Sequence, residues 1–214
     1  MLVGKRMTPN PITITGDISI AEAMDWMKRE KVRRFPVVDK DRKLIGIVSR
    51  TDLLHASPSS ATSLTMWEIS YLLNQIKVKE VMTRDVLTVT EDATLEEAAR
   101  LMVDNKVGSL PVVREGTLVG IITESDIFRV FLEMMGAREK GIRLTLLAPY
   151  VKGSMAQITS EITNAGGLIL AFDTFLGEDP SNWGCTLKVA EITKDALVEV
   201  VEPHVVEIVD VREE

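Results

Sequence analysis

The chain is poor in the residues on which most catalysis depends. Among 214 residues there are two histidines, His55 and His204, and one cysteine, Cys185. Neither histidine falls in an HExxH motif, a triad or a cluster with metal-ligand spacing, so general-base and metal chemistry lack their usual apparatus. No G-x-x-x-x-G-K-[ST] loop is present for NTP hydrolysis. One cysteine forms no intrachain disulfide, which allows a reducing compartment and requires no oxidising one. Set in an apolar strand, Cys185 reads as core. No apolar run approaches the ~20 residues of a membrane span, and the charged opening MLVGKRM lacks the apolar stretch of a signal peptide. The expectation is a cytoplasmic protein without membrane contact. Basic residues are also outnumbered: 25 Lys and Arg against 32 Asp and Glu leave a net charge of −7. That balance disfavours a phosphate backbone, and no helix-turn-helix or basic zipper is evident, so no nucleic-acid partner is expected.

What is present is a chain with 45% hydrophobic and 27% charged residues, the composition of a folded globular protein with one or two domains. Residues 1 to 141 hold 20 basic and 20 acidic groups, whereas residues 142 to 214 hold 5 and 12. The whole imbalance lies in the second part, which implies two units of different character.

The first part is a duplication. Met7-Thr8 recurs as Met82-Thr83, Thr13 as Thr88, Lys31-Val32 as Lys106-Val107, and Pro36-Val37-Val38 as Pro111-Val112-Val113, each at an offset of 75 (82 − 7, 111 − 36). One residue fewer in a turn makes the offset 74 for Gly46 with Gly120 and Asp52 with Asp126. Each copy carries a predicted capping box, Ser19 with Glu22 or Thr94 with Glu97. Behind it runs an apolar helical stripe: Ile20, Ala23, Met24, Met27, and in the second copy Leu95, Ala98, Ala99, Met102. A hairpin follows, with strands at Phe35 to Val38 and Leu44 to Val48, or Leu110 to Val113 and Leu118 to Ile122. A further helix starts near Asp52 or Asp126, cut short by Pro58 in the first copy and stopped by Gly136 in the second. Between the copies lie a Ser/Pro/Ala-rich linker, His55 to Thr62, and an amphipathic helix capped by Thr65 and Glu68. Its Trp67, Tyr71, Leu72 and Ile76 serve either packing within the domain or a partner surface.

Both copies end in G-h-h-[ST]-x-[ST]-D, at Gly46 to Asp52 and Gly120 to Asp126. A buried strand there delivers two hydroxyls and a carboxylate to a helix start, where unpaired N–H groups favour an anion. Hydroxyls donate to phosphate oxygens, and an ionised Asp accepts the paired hydroxyls of a ribose. The other reading is that these residues cap their helices.

Residues 1 to about 136 resemble a tandem pair of CBS domains, through Met-Thr, the [FL]-P-V-V strand and the G-h-h-[ST]-x-x-D element. The resemblance implies a β-α-β-β-α fold per repeat and a cleft that binds adenosine nucleotides, with AMP, ADP or ATP as a regulatory ligand and no tightly bound cofactor. One implied pocket combines Thr123, Ser125 and Asp126 with Thr13, Arg33 and Arg34. The other combines Ser49, Thr51 and Asp52 with Thr88, Gly108 and Ser109. The Arg pair also reads as a solvated basic face continuing Lys28, Arg29 and Lys31.

The acidic second part reads as β-α-β-β-α-β, a ferredoxin-like order in an α+β protein. Ile142 to Leu147 opens it, Ser154 caps a helix that Gly166-Gly167 ends, Leu168 to Phe175 and Cys185 to Ala190 flank a turn-rich loop, and Val205 to Val211 is last. With Lys152-Gly153 before the first helix, this resembles an ACT domain, which implies pairing or effector binding near Ala148 to Gly153. The family's Asp is missing from that loop, which weighs towards pairing. The boundaries expected are 1–58 and 78–136 for the repeats, 59–77 for the linker helix and 142–214 for the ACT-like unit. The whole arrangement resembles accessory proteins of acetoin utilisation. It implies a non-catalytic regulator in acetoin or central carbon metabolism, a homodimer, and a target enzyme that the sequence does not name. The alternatives are a dimerising scaffold that binds no nucleotide, or an amino-acid sensor acting through the ACT-like part.

Overall fold

The computed structural model describes residues 1–57, 65–176 and 179–214, which divide into two compact units, Met1–Ile127 and Phe128–Glu214. Pro58, the linker as far as Thr62, and Gly177-Glu178 of the expected loop lie outside the described residues.

The first unit runs β1 (Thr8–Pro9), α1 (Ile20–Arg29), β2 (Arg34–Val38), β3 (Leu44–Ser49), α2 (Arg50–His55), α3 (Met66–Gln75), α4 (Val78–Val81), α5 (Leu95–Asn105), β4 (Ser109–Arg114) and β5 (Thr117–Thr123), with α6 (Glu124–Met134) starting at its end. The hydroxyls of Ser19 and Thr94 accept from the backbone N–H of Glu22 and Glu97 at 3.2 and 3.1 Å, so α1 and α5 begin at the expected caps. The expected boxes are only half formed, because neither glutamate bonds back. The backbone just after each cap is paired with the segment that leads into the other repeat: Ile20 N–H donates to Ile76 and Leu95 N–H to Met1, both at 3.0 Å. Thr65 and Glu68 close a complete box at the start of α3. Ile20, Ala23 and Met27, and likewise Leu95, Ala98 and Met102, are buried, as their helical spacing requires.

The copies are held together by exchange of their lead segments. Val3 and Val78, 75 residues apart, are both fully buried, and Val78 packs into the core of the first copy. Val3 N–H donates to Ala93 of the second copy at 2.9 Å, while Val78 N–H donates to Ile18 of the first at 3.0 Å. The Met-Thr steps cross over in the same way. Thr8 pairs antiparallel with Ile121, and Thr83 with Ile47. Met82 then lies over Gly46, where a Cβ would stand 2.5 Å from its sulfur, and Met7 lies over Gly120, where a Cβ would overlap its sulfur. The recurring Met and the recurring Gly are one device, since the thioether fills the space that glycine leaves open. Lys43 bridges its own counterpart, Thr117, on the axis relating the copies.

The first strand of each repeat is shorter than the resemblance implies. Ile14 and Val89 make single parallel bridges to Val37 and Val112. Two residues later the backbone is already committed to the other copy: Lys79 N–H donates to Gly16, and Gly4 N–H to Glu91, both at 2.9 Å.

The aromatic face of α3 is not packed as core. Met66, Trp67 and Tyr71 are 82%, 86% and 63% exposed, and only Leu73 and Ile76 beyond them pack against the first copy's core.

From Ile142 the second unit runs β6 (Ile142–Pro149), α7 (Ser154–Asn164), β7 (Leu168–Leu176), β8 (Asn182–Ala190), α8 (Lys194–Val201) and β9 (Glu207–Glu213). Its strands lie in the order β7-β8-β6-β9, every neighbour antiparallel. Alternate residues of β6 and β8, among them Leu144, Leu146, Cys185 and Leu187, pack against Ile158 and Ile162 of α7 and Leu197 and Val201 of α8. On the opposite face Lys188 is 3% exposed, its ammonium 2.8 Å from Glu214. Gly136, at φ +58, ends α6 and stands near Ala171 and the Lys188 stem. The last strand begins two residues after the expected start, because Pro203 sits in a 3-10 turn, Glu202–His204, that extends the helix end. Ser154 does not cap α7. Gly153, at φ +89, holds the cap position, and the Ser154 hydroxyl is buried without a hydrogen-bond partner.

Candidate functional site

Strand β3 delivers Ser49, and β5 delivers Thr123, to the residue just before a helix start. The Ser49 amide and hydroxyl both donate to Asp52 Oδ2 at 2.7 Å, and the Asp52 amide donates back to the hydroxyl at 3.2 Å. At the second copy the same three bonds are 3.0, 2.7 and 3.3 Å, between Thr123 and Asp126. Both motifs thus act as capping boxes, which fixes each strand-to-helix turn.

Each turn borders a cavity within the first unit. The first, about 430 Å³, is lined by Arg33, Arg34, Gly108, Thr123, Glu124 and Ser125 together with Pro11, Ile12 and Lys31. The second, about 330 Å³, is lined by Arg34, Ser49, Asp52, Gly108 and Ser109 together with Val86, Leu87 and Lys106. Both volumes suit a small-molecule ligand. The linings correspond under the duplication: Pro11-Ile12 and Val86-Leu87 are 75 residues apart, as are Lys31 and Lys106, which end α1 and α5 at φ 55 and 54.

The structure brings most of the expected residues to these cavities and leaves four aside. Thr123, Ser125, Arg33 and Arg34 line the first, but Thr13 does not; Ile12, one residue earlier, takes that place. Asp126 is 8% exposed and stands behind the wall, bonded to Thr123. Ser49, Asp52, Gly108 and Ser109 line the second, where Leu87 stands in place of Thr88. Thr88 lines a separate recess with Asp92 and Glu97, and Thr51 is exposed on α2 outside the cavity. Thr13 and Thr88 were expected from the family resemblance. The apolar residues just before them, which also recur at an offset of 75, carry the better signal.

The charges differ between the cavities. Lys31, Arg33 and Arg34 face Glu124 in the first, whereas Arg34 and Lys106 face Asp52 and Asp85 in the second. Arg34 belongs to both. Burial lowers the pKa of its guanidinium, and Glu124 pulls it back up.

A family model of the CBS domain matches residues 3–59 and 78–133, more than half of the chain. The chain belongs to the CBS-domain family. Among solved structures it is similar to one assigned as the acetoin utilization protein AcuB of Vibrio cholerae, at 36% identity and TM-score 0.54 over 65% of this chain and 96% of that one. The CBS domain pair of protein MJ0100, solved with 5′-methylthioadenosine and S-adenosyl-L-methionine, is 30% identical with TM-score 0.52, over 65% of this chain and 98% of that one. CBSX2, from Arabidopsis thaliana, solved with AMP, is 32% identical with TM-score 0.53, over 61% of this chain and 96% of that one. Curated relatives include inosine-5′-monophosphate dehydrogenases of Nitrosopumilus maritimus and Methanocaldococcus jannaschii, 30% and 36% identical over 79% and 64% of this chain. This chain spans 33% and 25% of their lengths.

Elsewhere, burial and Asp173 push the Cys185 thiol up to about 12, so it stays protonated and unreactive at neutral pH. Among the described residues no cluster of three or more His, Cys, Asp or Glu could hold a metal ion, and no helix is long and apolar enough to cross a membrane.

Proposed function

We propose that this chain is a non-catalytic regulatory protein that senses adenosine-containing ligands in the two cavities of its CBS pair. The observation that carries this reading is the paired geometry: two cavities of ligand size, each bordered by a capped strand-to-helix turn with a hydroxyl and, opposite it, a backbone stretch from the other copy. The complexes of MJ0100 with S-adenosyl-L-methionine and of CBSX2 with AMP support it. In this reading Thr123, Ser125 and Arg33 bind sugar and phosphate in the first cavity, with Asp126 positioning Thr123. Ser49, Asp52, Gly108 and Ser109 do so in the second. The apolar pairs Pro11-Ile12 and Val86-Leu87 offer the base a surface. Thr13, Thr51 and Thr88 line neither cavity.

The repeats are residues 1–58 and 78–136, joined by a linker, 59–77, that carries α3, and 142–214 is an ACT-like unit in a cytoplasmic homodimer. The exposed face of α3 supports self-association. Similarity to AcuB supports a place in acetoin or central carbon metabolism, through a target enzyme. Thermal shift with AMP, ADP, ATP and S-adenosylmethionine tests the central reading, because a ligand of the folded state raises Tm by mass action. No shift with any of them at millimolar concentration would sink it.

One observation favours a second ligand. Ser154 Oγ, Asn182 Oδ1 and Trp183 Nε1 are buried without partners beside the loop from β6 to α7, where Pro149 pairs with Asn182 and Tyr150 lies 4.7 Å from Trp183, ring centre to ring centre. Unpaired buried polar atoms are costly, and a small amino acid would satisfy them. Calorimetry with the twenty amino acids tests this reading.

A further inference from the structure

The side chain of Arg34 is shared by the two cavities. Position 34 corresponds to 109 under the duplication, so Arg34 and Ser109 meet across the axis relating the copies, and guanidinium Nη1 donates to Ser109 Oγ at 3.0 Å. Serine on one side leaves room for the long arm of the other, which two arginines would not have. Gly108 completes the passage, since a Cβ there would stand 2.9 Å from Arg34 Nη2 and 2.9 Å from Glu124 Oε2. Arg34 is thus held between Ser109, on the side of the second cavity, and Glu124, on the side of the first.

We propose that Arg34 couples the two cavities negatively for phosphate-bearing ligands, a regulation that rests on the nucleotide reading above. A guanidinium has five donors in one rigid plane, and turning its paired fork to a phosphate on one side leaves at best a single, poorer bond for a phosphate on the other. The first cavity also holds Lys31 and Arg33, so a phosphate there draws Arg34 away from Ser109. The second cavity is left with Lys106 against Asp52 and Asp85. An uncharged nucleoside makes no such demand. The chain would then load one nucleotide at low concentration and a second only at a higher one, extending its response over a wider range.

The test is calorimetric titration of the full chain with AMP and with adenosine. In Ile12→Trp the first cavity is filled by a larger side chain at an exposed position, and the lone AMP event reports the second cavity with Arg34 free to serve it. In the wild type, the second AMP event should be about tenfold weaker than that lone event, or ~1.4 kcal/mol. With adenosine the two should agree. With Arg34→Ala added to both the wild type and Ile12→Trp, and with Arg34→Gln should the first variant fold poorly, the AMP ratio should fall to about one. A ratio near one in the wild type, or a tenfold ratio that persists in both Arg34 variants, overturns the coupling while leaving nucleotide binding intact. Absence of binding by AMP and adenosine alike overturns the nucleotide reading and the coupling with it.

Discussion

The two cavities are built by the same device and equipped differently. Every element that fixes the backbone is duplicated: the exchanged Val3 and Val78, the Met7 and Met82 sulfurs over Gly120 and Gly46, and the Thr123-Asp126 and Ser49-Asp52 boxes. Apart from Lys31 and Lys106, the charges lining the cavities are not. Arg33-Arg34 corresponds to Gly108-Ser109, Arg50 to Glu124, and Asn10 to Asp85. Residues that close a turn or fill a core are constrained by packing in both copies, whereas wall residues that do neither are freer to diverge. The first cavity is therefore the more electropositive, and the second is nearly balanced.

The largest effects should be equal in the two copies. Phe35 and Leu110 occupy equivalent, fully buried positions, so Phe35→Ala should cost ~3–5 kcal/mol and Leu110→Ala ~2–5 kcal/mol in chemical denaturation. A cost below ~1 kcal/mol at one of them would mean that the copies are not equivalent cores. Next comes an unequal effect. Arg33→Ala should weaken AMP in the first cavity by about ten- to a hundredfold, the worth of one charged hydrogen bond, and leave adenosine unchanged. Loss of both ligands alike would place Arg33 in the fold and not at the phosphate. Smaller and again equal, Ser49→Ala and Thr123→Ala should each cost ~1 kcal/mol of stability through the lost cap. Smallest of all, Trp67→Ala should change monomer stability by less than ~0.5 kcal/mol, since the ring is exposed, yet weaken self-association in sedimentation.

The parts of this molecule legible from sequence are those that repeat. The offsets of 75 and 74 located both helices, both hairpins and both motifs, and the element order of the second unit agrees with its apolar runs and turns. Four features escaped. The exchange of lead segments is a tertiary event to which local propensity is blind, and it ends the first strands early. Ser154 reads as a cap by type, but Gly153 at φ +89 supplies the turn, and the hydroxyl is drawn inside. Thr13 and Thr88 were carried over from the family's pocket pattern, although the repeat marks Ile12 and Leu87 equally. The sharing of Arg34 by two cavities depends on the axis between the copies, which no single repeat displays.

The claim that the first cavity is the stronger phosphate site is tested most directly by leaving one cavity open at a time. Calorimetric titration of AMP into Leu87→Trp reports the first cavity, and into Ile12→Trp the second. The charge difference predicts that AMP binds Leu87→Trp at least about tenfold more tightly, the worth of one charged hydrogen bond, with a much smaller difference for adenosine. Equal affinities for AMP, or tighter binding to Ile12→Trp, would contradict the account.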